Sequence, residues 1–563
     1  MWIEKFSKNS YRSILKWGEA DKYHHPSDHL LEFIKETFNY TDRDIQEKQM
    51  PGLGEVKDLA KSKLTDKDLK AITDIVGKEN LDTGDYDRAK HAFSYTYLDV
   101  LTARMEKVPH PPDAVVYPRS EEDVVALVEY CNGKKIPITA VGGRSSVTFG
   151  ISPKKGGVSL DMTRHLNRVL EVNEKNFTCR VQPGMYGPAY EEHLNNYRSE
   201  RIKNGFTCGH FPQSFEFSCV GGWVVTRGAG GQSTGYGKIE DMTISMRVVT
   251  PKGVLVTKPY PAAAIGPDID QIILGSEGAF GIVTEVTLKI REYNPDDRHM
   301  FSWFFKDWEE GLAAMQEIMQ GGFGYPSMLR ISDPEETDIA LKLQGMENTI
   351  VDSILKFLGY KPERRVLLLG ASEGDPDHGK LIKKKVRKIA RRHGGFGVGP
   401  MGVKGYWKRR YSDPYMKDDL MDIGIISDTL ETSCTWENIH HVWKEVRDVI
   451  KARPKTICMV HASHAYENGA NLYFIFLSPI ERGRESEDYT AFQHSIIDAI
   501  VKSGGSLSHH HGIGKMFAPW YEEHVGPVAF GIIRAVKDHL DPNGIMNPGG
   551  TLGLDFEGKK RKP

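Results

Sequence analysis

The stretch that most restricts how this chain can fold is the run from Val108 into Ser146. Pro109, Pro111 and Pro112 cannot continue a helix and mark a boundary. After them come a short apolar strand over 114–117, Ser120 and Asp123 at capping-box spacing, and Val124, Leu127, Val128 and Cys131 at helical spacing. A second apolar strand over 136–141 runs directly into Gly142-Gly143-Arg144-Ser145-Ser146. Strand, helix and strand in so short a span form a βαβ unit, which demands a parallel pair and a covered sheet. The Gly-Gly junction leaves backbone N–H groups unshielded beside hydroxyls. It is either a plain turn or a receptor for a pyrophosphate, and it is not the G-x-G-x-x-G of a dinucleotide fold.

Downstream, 157–161, 167–171 and 178–181 alternate like strands until Pro183-Gly184. Residues 209–226 (GHFPQSFEFSCVGGWVVT), Gly228 to Gly231 and Gly235-Tyr236-Gly237 form a loop region rich in glycine and aromatics. It reads either as a set of β-turns or as backbone lying against a large planar cofactor. Strands follow over 239–250 and 281–290, with a glycine turn at 274–278 between them. Near Glu292 the pattern changes to strand 300–305, helix 308–319, strand 328–331 with Arg330, strand 365–369 and a basic helix 378–392. That helix is either a solvated face or a phosphate or headgroup contact. The fold class is therefore α+β. The expected domains are a helical region 1–105 with helices capped by Ser27 and Thr65, a cofactor domain 106–292, a cap domain 293–505, and a helical C-terminal segment 506–563.

Two clusters carry chemistry. Residues 455–476 read as a hairpin about Asn468-Gly469, placing His461 and Tyr473 toward one cavity and carrying Ser463 and His464 nearby. Residues 506–515, SLSHHHGIGK, hold His509, His510 and His511 before two glycines. Such a run can be a solvated tract. Its place after a helical pattern and the breakers Gly504-Gly505 points instead to imidazoles that hold and pass protons.

Composition excludes several classes. The net charge of -2, from 74 basic and 76 acidic residues, offers no global field for nucleic acid. The six cysteines include no C-x-x-C pair, which argues against a zinc ribbon, a cysteine-ligated iron–sulfur cluster or a disulfide framework. The N-terminus has no signal-peptide core, no apolar run is long enough to span a membrane, and the basic 559–563 end is not a peroxisomal signal. A cytoplasmic protein is expected, with peripheral membrane contact left open.

Taken in order, PDAVVYPRSEEDVVALV, GGRSS, GHFPQSFEFSCVGGW, LGSEGAFGIVTE and SLSHHHGIGK resemble the vanillyl-alcohol-oxidase flavoprotein superfamily. Within it they are most similar to the alkyldihydroxyacetonephosphate synthase family. The resemblance implies a two-lobed PCMH-type FAD-binding domain under an α+β cap, non-covalent FAD, and a homodimer. It implies that Gly142, Gly143, Arg144, Ser145 and Ser146 hold the pyrophosphate, and that Ser214, Gly221, Gly222, Thr226, Glu240, Asp241, Glu277 and Ile282 line the rest of the cofactor. The implied reaction, without net redox change, exchanges the acyl chain of acyl-dihydroxyacetone phosphate for a fatty alcohol through a flavin N5 adduct. Tyr473 would be its base, His509, His510 and His511 its proton carriers, and Arg330 and Lys417 its substrate contacts; no resident metal is implied.

The chain departs from that family at Lys417, which stands for an arginine, and at Arg144, which stands for a glycine. His461 and His464 also differ from the animal enzymes. The rival reading is an FAD-linked D-2-hydroxy acid dehydrogenase, whose metal is held by two histidines and a glutamate. Here His510 and Tyr473 stand where that branch has the glutamate and one histidine. Losing a carboxylate and an imidazole weakens the rival, although His461, His464, His510 and His511 leave another metal site open.

Overall fold

Ser27, Thr65 and Ser120 each accept a backbone N–H at the start of a helix. Thr65 closes a full capping box with Asp68. At Ser120 only half of the expected box forms, because the Asp123 carboxylate accepts from the Arg119 N–H instead. The helix Glu121–Lys134 then packs Val124, Leu127 and Val128 on the sheet it connects. The computed structural model describes residues 2–558; the basic tail 559–563 lies outside the described residues.

The protein is α+β. In the first lobe, Ala114–Val116 and Ile138–Val141 both run parallel to Val158–Asp161, with Leu81–Asp82 antiparallel at one edge. The chain end completes this lobe: Ile138 N–H donates to the Ile545 carbonyl and Asn547 N–H to the Ile138 carbonyl, both at 2.8 Å. The second lobe is an antiparallel sheet in the order Val169–Asn173, Thr178–Val181, Ile282–Lys289, Thr243–Thr250, Gly253–Val256.

Several expected elements shift. Only Thr243–Thr250 of 239–250 is strand, because Ile239–Met242 makes a helical turn closed by the Asp241 carboxylate on the Lys238 N–H. Val220–Val225, inside the expected loop, is a short helix. The basic helix starts at Pro376, capped by Asp375.

The cap is a seven-stranded antiparallel sheet in the order Phe396–Gly397, His299–Phe305, Val366–Ser372, Met328–Ser332, Ile457–Ser463, Gly469–Pro479, Ile425–Thr435. Period-two alternation divides its faces. Cys458, Val460, Ala462, Leu472, Phe474 and Phe476 join the helix-covered core. Met459, His461, Ser463, Tyr473, Ile475 and Leu477 line a cavity on the other face. Among the described residues no helix is long and apolar enough to cross a membrane.

Candidate active site

The cavity between lobes and cap has a volume of about 1400 Å³. That exceeds the ~300–1,000 Å³ of an ordinary small-molecule site, leaving room for a dinucleotide and a substrate together. Gly142, Gly143, Arg144, Ser145, Ser146, Ser214, Gly221, Gly222, Thr226, Glu277 and Ile282 all line it, as do Arg330, Lys417, Tyr473, His510 and His511. His509, Glu240 and Asp241 do not. Glu240 pairs with Lys238 at 3.0 Å, and Asp241 caps its own helical turn. Their places in sequence suggested the cofactor, but the helical turn that replaces strand there aims them at their neighbours.

The pyrophosphate expectation meets a suitable local backbone. Arg144 has φ +61°, the left-handed region that favours glycine. Its guanidinium turns to the Ile14 and Lys90 carbonyls at 3.2 and 2.9 Å, tying the turn to the N-terminal helices. A Cβ on Gly143 would lie 2.0 Å from the Phe217 carbonyl oxygen, so the turn packs backbone against backbone. Ser146 Oγ accepts from the Thr148 and Gly150 N–H groups.

Further along, Glu277 Oε1 accepts from the Ile513 and Gly514 N–H groups while Oε2 is buried without a partner. Burial pushes the Glu277 carboxyl up to about 7, so it can stay protonated and donate to a neutral acceptor. Both ring nitrogens of His210, Arg410 Nε and Tyr411 Oη are likewise buried and unpartnered on this wall. A cavity of this size, with a glycine-lined turn and unspent donors, fits FAD.

Arg330, His461 and Tyr473 stand on the cap sheet. His461 and Tyr473 are cross-strand neighbours whose rings stack at 5.1 Å, as the hairpin reading expected. Tyr473 Oη donates to Thr429 Oγ1 at 3.1 Å, and burial raises the phenol above its ordinary value. Arg330 is bound to Glu336, which also faces His461 Nδ1 at 3.3 Å. Burial alone would raise Glu336; the Arg330 charge and His461 overcome it and hold the carboxyl at about 2. Arg330 therefore carries its own counter-ion. Lys417 Nζ is 3.9 Å from Asp428. Arg410, which the sequence reading missed, makes no ion pair among the described residues and sits 4.3 Å from the Trp407 ring centroid and 4.7 Å from that of Tyr411.

Glu431 was also missed as a site residue, and it organises the histidine run. Its buried carboxylate accepts the N–H groups of His509, His510 and His511, the Ser508 hydroxyl at 2.6 Å and the Asn471 amide at 2.9 Å. Glu431, His509 and His510 each bring one potential ligand atom within 4.8 Å of the others, a metal-like spacing. A carboxylate offers about four lone-pair directions, and here they are spent on these donors, so the group is an anion seated in a backbone nest rather than a free metal ligand. Burial, first, then neighbouring positive charge lowers His509 and His510 well below the usual imidazole range; burial also lowers His511, and His464 to about 3. These imidazoles are neutral at neutral pH.

Known proteins resemble this chain over most of its length. Residues 112–258 match the family described as FAD binding domain, and residues 294–551 the family described as FAD linked oxidases, C-terminal domain. The chain is 32% identical to an alkyldihydroxyacetonephosphate synthase of Dictyostelium discoideum, over 84% of this chain and 79% of that one. It is 27% identical to a mitochondrial D-lactate dehydrogenase of Arabidopsis thaliana, over 78% of this chain and 73% of the other. A solved alkyldihydroxyacetonephosphate synthase superposes with a TM-score of 0.77 at 28% identity, covering 96% of this chain and 98% of that chain.

Proposed function

This chain belongs to the alkyldihydroxyacetonephosphate synthase family of FAD-dependent enzymes, and from that premise we propose that it exchanges the acyl chain of acyl-dihydroxyacetone phosphate for a long-chain alcohol, forming an ether. The observation that carries this reading is the Tyr473 phenol packed between His461 and the histidine run, where the rival dehydrogenase would have a metal ligand. Glu431, the nearby carboxylate, is committed to backbone. Proton transfer is the chemistry these groups support.

Bound FAD supplies, at N5 in its reduced state, the nucleophile for C1 of the substrate. The remaining work falls to the chain. Gly142, Gly143, Ser145 and Ser146 hold the cofactor's pyrophosphate. Sequence reading makes Tyr473 the base, but its raised phenol holds its proton at neutral pH, so it first acts as a donor. The neutral imidazoles of His510 and His511 accept the C1 proton. Arg410, without a counter-ion, and Lys417 receive the substrate phosphate, while Arg330, neutralised by Glu336, serves as a hydrogen-bond donor.

The lipid enters from the cap. Helix Ile350–Phe357 leaves Ile350 81% and Phe357 90% exposed, and its Val351 joins Phe396 and Met401 on the cavity wall. With the basic helix Pro376–Arg392 on the same cap, this apolar rim suits an anionic lipid surface, which is where both substrates reside.

The test is to incubate holoenzyme with acyl-dihydroxyacetone phosphate and hexadecanol and to look for alkyl-dihydroxyacetone phosphate by mass spectrometry. An ether product with no bleaching of oxidised flavin by D-2-hydroxy acids is expected. Bleaching by D-lactate or glycolate without ether product would establish the dehydrogenase instead.

A further inference from the structure

The peptide group that joins His509 to His510 is held at both ends by opposite charges. Its N–H donates to Glu431 Oε1 at 3.1 Å, and its carbonyl accepts from Lys238 Nζ at 2.7 Å. The bond is trans, so the two groups point in opposite directions. Glu431 stands on the cap strand Ile425–Thr435, whereas Lys238 directly precedes the helical turn Ile239–Met242 of the cofactor domain. Lys238 does not line the cavity. We propose that Lys238 is a positioning residue for the reaction: working from the cofactor domain against Glu431 from the cap, it sets the plane of the His509–His510 peptide and so aims the His510 ring into the cavity.

Glu240 and Asp241, which do not reach the cavity, build the support for this lysine. The Asp241 carboxylate accepts the Lys238 N–H at 2.9 Å, and the Lys238 carbonyl accepts the Asp241 N–H at 3.1 Å. Glu240 Oε1 lies 3.0 Å from Lys238 Nζ, and Arg227 Nε lies 3.8 Å from the same oxygen. Ile239, next in sequence, is fully buried in the core of the lobe and donates its N–H to the Gly228 carbonyl at 3.1 Å. A Cβ on Gly237, which has φ +85°, would meet Asp241 Cβ at 2.8 Å, so the turn closes tightly just before Lys238. A free lysine stem gives up much rotamer freedom to make one bond; here the turn and Glu240 have already fixed it.

In a segment without regular secondary structure, a peptide plane is held only by the bonds made to it. Turning this one over would set its carbonyl against the Glu431 carboxylate and its N–H against the Lys238 ammonium. Two charge-assisted bonds would be exchanged for two repulsions. The His510 ring follows directly on that plane, with its centroid 5.0 Å from that of His464 and 5.9 Å from that of Tyr473. Losing the ammonium therefore releases the aim of the ring toward its neighbours in the cavity. Burial first, and then neighbouring positive charge that includes Lys238, also keeps His509, His510 and His464 neutral.

Two measurements on the flavin-bound protein test this, and only the second rests on the synthase reading. In protein labelled with ¹⁵N-histidine, Lys238→Met should shift the ring resonances of His509 and His510 and leave in place that of His91, which is bound to Asp161 in the first lobe. Lys238→Arg keeps a charged donor and should bring both resonances back. With acyl-dihydroxyacetone phosphate and hexadecanol, Lys238→Met should lower kcat about tenfold or more while KM stays within about twofold, and Lys238→Arg should recover most of the loss. Unshifted His509 and His510 resonances in folded Lys238→Met, a kcat within about twofold of the parent chain, or no rescue by Lys238→Arg would each overturn the proposal. If the parent chain forms no ether product, the synthase reading fails and the resonances alone decide. Glu240→Gln, which frees the ammonium without removing it, should shift the same two resonances by less and decides if Lys238→Met does not fold.

Discussion

Glu431 and Tyr473 are cross-strand partners on the cavity face of the cap sheet, yet the carboxylate bends away from the phenol to gather the backbone N–H groups of His509, His510 and His511. The histidine run, which has no regular secondary structure, is held in shape by one side chain from another element. This face of the cavity is thus a composite: a phenol and an imidazole from one hairpin, and a loop clamped by its neighbour strand.

Replacing that clamp should loosen the loop. Glu431→Ala strands several buried donors at once and is expected to cost about 3 kcal/mol or more. Glu431→Gln keeps one oxygen and should cost less. Urea unfolding of the two variants beside the parent chain measures both, and equal stability of all three would show that the nest carries no load.

Tyr473→Phe removes only the hydroxyl that bonds Thr429. It should keep bound flavin and lower turnover by about a hundredfold or more if the phenol moves protons in the reaction. Turnover close to that of the parent chain would remove Tyr473 from the mechanism.

Glu336 ties stability to acid. Its folded carboxyl titrates at about 2 against an ordinary 4.5, because the Arg330 charge and His461 outweigh the opposing effect of burial. A depressed carboxyl stabilises the fold above the unfolded value and loses that contribution as pH falls from 4.5 toward 2. The effect is on the order of 3 kcal/mol. Between these limits the unfolding midpoint of the parent chain should fall more steeply with acid than that of Glu336→Gln; parallel slopes would contradict the assignment.

The Gly-Gly turn offers a paired test. Gly143→Ala drives a Cβ to 2.0 Å from the Phe217 carbonyl and should release flavin. Gly133→Ala, in the helix Glu121–Lys134 with nothing within 4 Å, should keep flavin and add about 0.5–1 kcal/mol of stability. Flavin content after gel filtration and thermal unfolding report both.

Arg410→Met removes a cavity-wall guanidinium that makes no ion pair among the described residues while keeping the apolar stem against Trp407. Competitive inhibition by inorganic phosphate should weaken about tenfold or more. Unchanged inhibition would move the phosphate to Lys417.

Much of this protein can be read along the chain because the relevant physics is local. The βαβ unit, the Gly-Gly junction and the alternation that turns His461 and Tyr473 to one face depend on neighbours a few residues apart, and each is found in the structure. Motif order likewise carried the family. What tertiary structure decided concerns contacts between distant segments. Asp241 caps its own turn, and Glu240 pairs beside it, because a helical turn took the place of expected strand. Glu431 reaches a loop that follows it by a helix, a hairpin and a second helix, Tyr466 meets His509, and Arg410 makes no ion pair among the described residues. A side chain's hydrogen-bond partners, and therefore its charge and tautomer, are set by whichever surfaces the packed fold brings within about 3 Å, and spacing along one strand or loop does not contain that information.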